Sequence, residues 1–208
     1  MAGLSTTRGA LSSLFLCLLA HPEYQLKIQQ EIDDVIGKGL PKFGDRSKCP
    51  VTESVIMESL RLTTVSAFAA PDTTYQQLNF EGFNMLKNSV ILGNQWYICH
   101  DKKIWEDPWT FRSKRFLDKN RQLQQCDHAL RKTWLTFGLG RRQCMGGPFA
   151  RSMIFLTVAT LLQRWRFIPP HDTCISCDPR SDQFTYLLFV HPKPFYCRVE
   201  ERKDRPEI

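Results

Sequence analysis

The chain has 208 residues, 42% of them hydrophobic, which is enough to bury a substantial core in one globular domain or in part of a larger one. Twelve prolines and eleven glycines are ordinary usage and exclude global disorder, and no internal repeat or low-complexity tract is present. Eight cysteines in a chain this long and core-rich do not make a disulfide scaffold, so reduced thiols are expected.

The first feature is an apolar run of ten residues, Leu11 to Ala20, preceded by Arg8. It is shorter than a bilayer span, and it continues directly into HPEYQLKIQQEIDDVIG, so it reads as a core helix and not as a signal or anchor. His21-Pro22-Glu23 starts a helix, with Ile28, Ile32, Val35 and Ile36 on one face and Gly37 at its end. Pro50 opens another, carrying Val51, Val55 and Leu62 on one stripe, and Pro71 closes that region. Leu78 and Phe80 alternate with polar residues, Glu81-Gly82 turns the chain, and Ser89 to Leu92 and Trp96 to Ile98 read as strands. Asp101 to Asn120 reads as coil, and Gln122 to Arg131 as a polar surface loop. Pro148 opens a long helix with Met153, Leu156 and Leu161 on or beside its apolar face. Gln183 to Val190 and Phe195 to Val199 are expected to form a final hairpin around His191 to Pro194. The class is mainly α with small antiparallel β-sheets, in one partial domain spanning residues 1–208.

Charge is uneven. Of the net +7, all falls between Asp101 and Arg151, where twelve Lys and Arg face five Asp and Glu; the rest of the chain holds sixteen of each. Such a segment fits an acidic protein partner, an anionic cofactor, a nucleic acid or a membrane surface. Nucleic acid is the poorest of these fits, because no helix-turn-helix, zinc-finger or RNA-binding signature accompanies the charge.

Within this basic segment lies FGLGRRQCMGG, residues 137–147. A thiol acts as metal ligand or nucleophile in its thiolate form, which positive surroundings favour. Cys144 precedes a helix start at Gly147-Pro148, where free N–H groups and the dipole supply partial positive charge. Gly138, Gly140, Gly146 and Gly147 leave room for something flat against the backbone. Arg141 and Arg142 can meet carboxylates on it. A planar, anionic, metal-bearing cofactor held by one thiolate fits this description, and thiolate-ligated haem is such a group.

The spacing F-x-x-G-x-R-x-C-x-G is met by Phe137, Gly140, Arg142, Cys144 and Gly146. This segment resembles the haem-binding loop of the cytochrome P450 family, the haem-thiolate monooxygenases. The resemblance implies the C-terminal portion of that fold, with Cys144 as axial iron ligand, Arg142 at a haem propionate and Phe137 packed near the sulfur. Glu58-Ser-Leu-Arg61 is similar to the family's E-x-x-R pair, and Arg115 within DPWTFRSKRF matches the arginine that completes it; Ser113 stands where a proline is usual. These three would hold the coil under the haem. Ala2-Gly3-Leu4-Ser5-Thr6-Thr7 resembles the oxygen-activating helix segment, with Thr6 as the residue that guides protons and Ser5 in place of an acid. The hexapeptide alone could equally be a capping Ser/Thr cluster. Asp72 stands where many relatives place a His or Arg against a propionate, and it would repel one.

The resemblance runs from Ala2 to about Arg202 and covers the C-terminal half, or slightly less, of a usual member. It implies haem-thiolate oxygenation of a lipophilic small molecule, steroid- or xenobiotic-like, with electrons from NADPH through a flavoprotein reductase. Part of the basic segment, Arg131 and Lys132 included, would dock that acidic reductase. The alternative is a truncated haem-binding or interaction fragment without turnover. An endoplasmic-reticulum membrane location is implied for a full-length form, with no anchor expected in this chain and a complete C-terminus. Apolar stretches at Val65 to Ala70 and Phe184 to Leu188 would face a lipophilic substrate. Finally, His171, Cys174 and Cys177 form H-x-x-C-x-x-C; with Cys197 they could be a zinc site, but ordinary thiols are the preferred reading.

Overall fold

In the computed structural model, which describes residues 2–171, 173–187 and 189–203, helices dominate and four two-stranded antiparallel sheets fringe them. Helix α1 (Ala2–Ala20) extends well N-terminal of the apolar run. Ala10, Leu14, Cys17 and Leu18 face the main core, and Leu16 turns the other way to meet Phe184 and Val190. A helix buried on more than one side reads apolar all round, which is why its sequence mimics a membrane segment. The expectation that this region is too short to span a bilayer is corrected: Gly3–Ala20 has the length and composition to cross one, although its apolar residues largely pack inside the fold.

Helix α2 (Pro22–Val35) begins at its proline and buries Ile28 and Ile32. At its end Ile32 O accepts from both Ile36 N and Gly37 N, with Gly37 at φ +61°, the left-handed stop that glycine permits. Helix α3 (Pro50–Thr63) is the centre of the molecule, with every residue from Val51 to Thr63 buried. Its first turn is capped from outside. Glu31 of α2 accepts hydrogen bonds from Val51 N at 2.8 Å and from Thr52 N and Oγ1 at 2.7 Å each.

Strands β1 (Asp72–Thr73) and β4 (Val90–Ile91) pair, and between them β2 (Leu78–Phe80) and β3 (Phe83–Met85) form a hairpin. Its turn puts Glu81 and Gly82 both at positive φ, as a two-residue hairpin loop requires. The strand expected at Trp96 to Ile98 is instead helix α4 (Gln95–His100). The Asn94 side chain accepts from Tyr97 N at 2.9 Å and caps it, and Trp96 and His100 meet one turn apart at 4.3 Å. Coil follows, broken by a 3-10 turn at Ser113–Phe116 and by the short helix α5 (Ala129–Lys132).

Helix α6 (Gly147–Arg164) starts where Pro148 predicts. Its buried face is Ile154, Phe155, Val158, Ala159 and Leu162, not Met153, which is exposed. It runs straight into β5 (Trp165–Ile168), which pairs with β8 (Arg198–Glu201). The final hairpin is therefore corrected: β6 (Phe184–Tyr186) pairs with β7 (Val190–Pro192), and the last strand closes on β5. Gln25 of α2 fixes β5 by accepting from Phe167 N and donating to Phe167 O.

Candidate active site

The candidate site has two parts, one built on α3 and one in the Cys144 loop. Glu58 and Arg61 are both 0% exposed, with Arg61 Nε 2.8 Å from Oε2 and Nη2 3.0 Å from Oε1. Arg115, reaching in from the coil, donates from Nε to Oε1 at 3.0 Å, and the Arg112 amide donates to the same oxygen at 2.9 Å. The remaining donors are also met: Arg61 Nη1 by Cys99 O, and Arg115 Nη1 and Nη2 by the carbonyls of Glu106, Asp107 and Thr110. The buried Trp105 lies 5.2 Å from the Arg61 guanidinium and 6.0 Å from that of Arg115. Burial pulls Arg115 below its ordinary value against the opposing attraction of Glu58. A buried carboxylate between two guanidiniums is tolerable because nearly every lone pair and N–H finds a partner. The result fixes the irregular 106–116 coil to the central helix.

The second is the loop itself. Phe137 is half-buried against the main core and meets Trp134 edge-on at 5.9 Å. Trp134 in turn donates to Met57 O of α3, and Arg151 lies over its ring. From this anchor the chain reverses through Gly138 and Gly140, at φ +75° and +69°, positions at which a side chain is strained. Cys144 N donates to Phe137 O at 2.8 Å, closing the loop, and Gly147 N donates to Cys144 O at 3.1 Å as α6 begins.

Cys144 is exposed, as are Arg141, Arg142, Met145 and Gly146. A Cβ on Gly140 would meet nothing within 4 Å, whereas one on Gly146 would come to 3.8 Å from Cys144 Sγ. The loop thus exposes one thiol, open backbone and two guanidiniums just before an 18-residue helix with no acidic residue in its first turn. That donor set fits a flat, anionic group carrying a metal.

One feature runs against an anion. Arg142 Nε is 2.9 Å from Asp72 Oδ1, both side chains being largely exposed. Sequence spacing identified both residues but gave no sign of the pair, which joins positions 70 apart. Arg141 has no ion-pair partner among the described residues.

Thr6 lies half-buried in the second turn of α1, beside exposed Ser5. The hexapeptide forms the first turns of α1. Of the twelve basic residues in the 101–151 segment, Lys102, Lys103, Lys114, Lys119, Arg121, Lys132, Arg141 and Arg142 are exposed. Arg131 is engaged within the fold, donating to Gln124 O and Cys126 Sγ. Among the apolar stretches, Val65 and Phe184 are buried while Phe68, Tyr186 and Leu187 are exposed; Leu188 lies outside the described residues. His171 and Cys174 are exposed and apart from buried Cys177, and no metal-holding cluster exists among the described residues.

The chain resembles proteins of one kind throughout. The sequence profile of the family described as Cytochrome P450 matches residues 1–199. Rabbit (Oryctolagus cuniculus) cytochrome P450 1A1 is 38% identical over 179 residues, 86% of this chain and 34% of the relative. Bovine (Bos taurus) cytochrome P450 2U1 is 37% identical over 203 residues, 97% of this chain and 36% of the relative. A solved structure of a zebra fish cytochrome P450 with abiraterone superposes with a TM-score of 0.85 at 30% identity, covering 97% of this chain and 46% of that one. The chain therefore spans about a third of the length of the curated relatives it matches, and its fold is part of theirs. On these matches, over nearly its whole length, the chain belongs to the cytochrome P450 family.

Proposed function

We propose that this chain is the haem-binding part of a haem-thiolate monooxygenase that inserts one oxygen atom from O2 into a lipophilic small molecule. Family membership implies a haem cofactor. The observation that carries the reading is the Cys144 loop: an exposed thiol, clear backbone at Gly140 and paired arginines, all at the start of α6. When bound, haem supplies the activation of dioxygen.

This chain's own residues do the rest. Cys144 supplies the thiolate ligand. The glycines at 140 and 146 let the flat group approach the backbone. Arg142 and Arg141 orient it through its carboxylates, Arg142 by leaving Asp72. Phe137, anchored on Trp134, keeps water from the sulfur. Thr6 holds and passes a proton at its hydroxyl oxygen. Glu58, Arg61 and Arg115 fix the coil beside the loop so that it does not collapse. The exposed lysines of the 101–151 segment form the face for an acidic flavoprotein reductase, which brings electrons from NADPH. An endoplasmic-reticulum membrane is the proposed site of a full-length form.

The test is product analysis under labelled dioxygen, with a reductase and NADPH. Incorporation of one labelled oxygen atom into a lipophilic substrate, with matching NADPH consumption, supports turnover. A second reading, a haem-binding fragment without turnover, is favoured by Ser5 standing beside Thr6 in place of the family's acid. Haem binding with no labelled product would select it.

A further inference from the structure

Away from the Cys144 loop, a cleft of about 510 Å³ opens between the C-terminal half of α1, the 170–183 segment and the chain that follows β7. That is the size of a small-molecule site. Its floor is apolar: Leu16 of α1 is fully buried, and Ile175 and Phe195 pack on the cluster it belongs to. Its walls are fixed by hydrogen bonds. The Gln183 side chain accepts from Ser176 N at 3.1 Å and donates to Cys174 O at 2.8 Å, tying that stretch to the start of β6. Gln183 O accepts from Lys193 N at 2.7 Å, one step beyond the Phe184–Pro192 pair of the β6–β7 ladder.

Two opposite charges remain at this cleft. Asp182 and Lys193 both line it and are exposed, and neither side chain has a hydrogen-bond or ion-pair partner among the described residues. The nearest cation in sequence to Asp182, Arg180, is held by the Asp178 carboxylate in three contacts of 2.6 to 3.1 Å. A lipophilic acid would suit Lys193 and be repelled by Asp182; a lipophilic amine would meet the reverse. A neutral body would strip water from both charges and offer neither a partner. A molecule that carries both charges on an apolar body matches the carboxylate, the ammonium and the floor together.

We propose that this cleft is a binding site for a zwitterion with a large apolar body, of the class of a short apolar peptide. The ligand's ammonium meets Asp182, its carboxylate meets Lys193, and its side chains lie on Leu16, Ile175 and Phe195. Tyr196, 86% exposed, adds an aromatic rim at the mouth. Each charge sits in water, so its contact alone is worth little, and the apolar floor supplies most of the affinity. Dissociation constants of roughly millimolar size follow, with the two charges choosing among ligands rather than setting the strength.

The experiment titrates the dipeptide phenylalanyl-phenylalanine into the chain by ligand-observed saturation-transfer NMR, beside its N-acetyl and C-terminal amide forms. The dipeptide is expected to bind, and each capped form to bind up to about fivefold more weakly, the size of one exposed ion pair. Asp182→Asn should erase the dipeptide's advantage over the acetylated form, and Lys193→Met its advantage over the amide. Both positions are exposed, so the fold survives these changes and the comparison stands. Phe195→Ala should weaken all three ligands alike. No binding of the dipeptide at about 10 mM overturns the proposal, since the site would then be weaker than its apolar floor allows. Equal binding of the three forms, or a preference that persists unchanged in both charge variants, overturns it too. None of these readouts involves haem, so the inference stands or falls apart from the monooxygenase reading.

Discussion

Removing the Glu58 carboxylate should cost more than any other single surface or core polar change in this chain. Its two oxygens accept four hydrogen bonds, from Arg61 twice, Arg115 once and the Arg112 amide. Glu58→Ala leaves the guanidiniums of Arg61 and Arg115, 0% and 6% exposed, buried beside each other without an anion. Breaking a buried pair in this way costs about 3–5 kcal/mol, a large share of the roughly 5–15 kcal/mol that holds a domain folded. For a chain of this size that is a fall in Tm of roughly 10 °C. The assay is urea and thermal unfolding followed by far-ultraviolet circular dichroism, with Asp178→Ala as control. The Arg180–Asp178 pair is 52% and 31% exposed, so its loss should cost no more than about 1 kcal/mol. If Glu58→Ala costs no more than the control, the network does not fix the coil to α3, and the account of that half of the site fails.

Other predictions follow from single contacts. Glu31→Ala should destabilise by about 1–2 kcal/mol, as loss of a helix cap does, because two amides and a hydroxyl at the start of α3 lose their acceptor; urea midpoints measure this. Burial pushes the His100 imidazole down to about 4, despite its contacts with the Trp96 and Leu62 carbonyls. The unfolded chain then binds the extra proton below about 6.5, so this contribution is complete above that pH and is lost as pH falls toward 4. It is worth at most about 3 kcal/mol, and His100→Gln should flatten the stability profile over that window. Asp72→Asn should release Arg142 and tighten haem binding by up to about fivefold in a titration, while leaving Tm nearly unchanged, since exposed pairs contribute about 0.2–1 kcal/mol. Weaker binding in that variant would mean that Asp72 positions Arg142 instead of competing for it.

Much of the helical frame could be read from sequence because its signals are local. Pro22, Pro50 and Pro148 mark helix starts, and Glu81-Gly82 marks a tight hairpin; each acts within a few residues. Where the reading failed, a competing local or distant interaction decided. Trp-Tyr-Ile-Cys at residues 96–99 has strand-forming side chains, but the Asn94 cap and the Trp96–His100 contact fold it as α4. The partner of the last strand lies 30 to 36 residues away in β5, a pairing no hairpin pattern could show. At the site, the F-x-x-G-x-R-x-C-x-G spacing and the E-x-x-R pair were visible because helix and loop geometry fix them. The Asp72–Arg142 contact depends on tertiary packing, and the apparent H-x-x-C-x-x-C grouping dissolved for the same reason.

The most direct test of the central claim is a ferrous–carbon monoxide difference spectrum of the chain with added haem, recorded beside Cys144→Ala. A strongly red-shifted Soret band in the unsubstituted chain, absent from the variant, is the predicted result and would identify Cys144 as the thiolate ligand. The same spectrum from both proteins, or no red-shifted band from either, would contradict a haem-thiolate site in this chain.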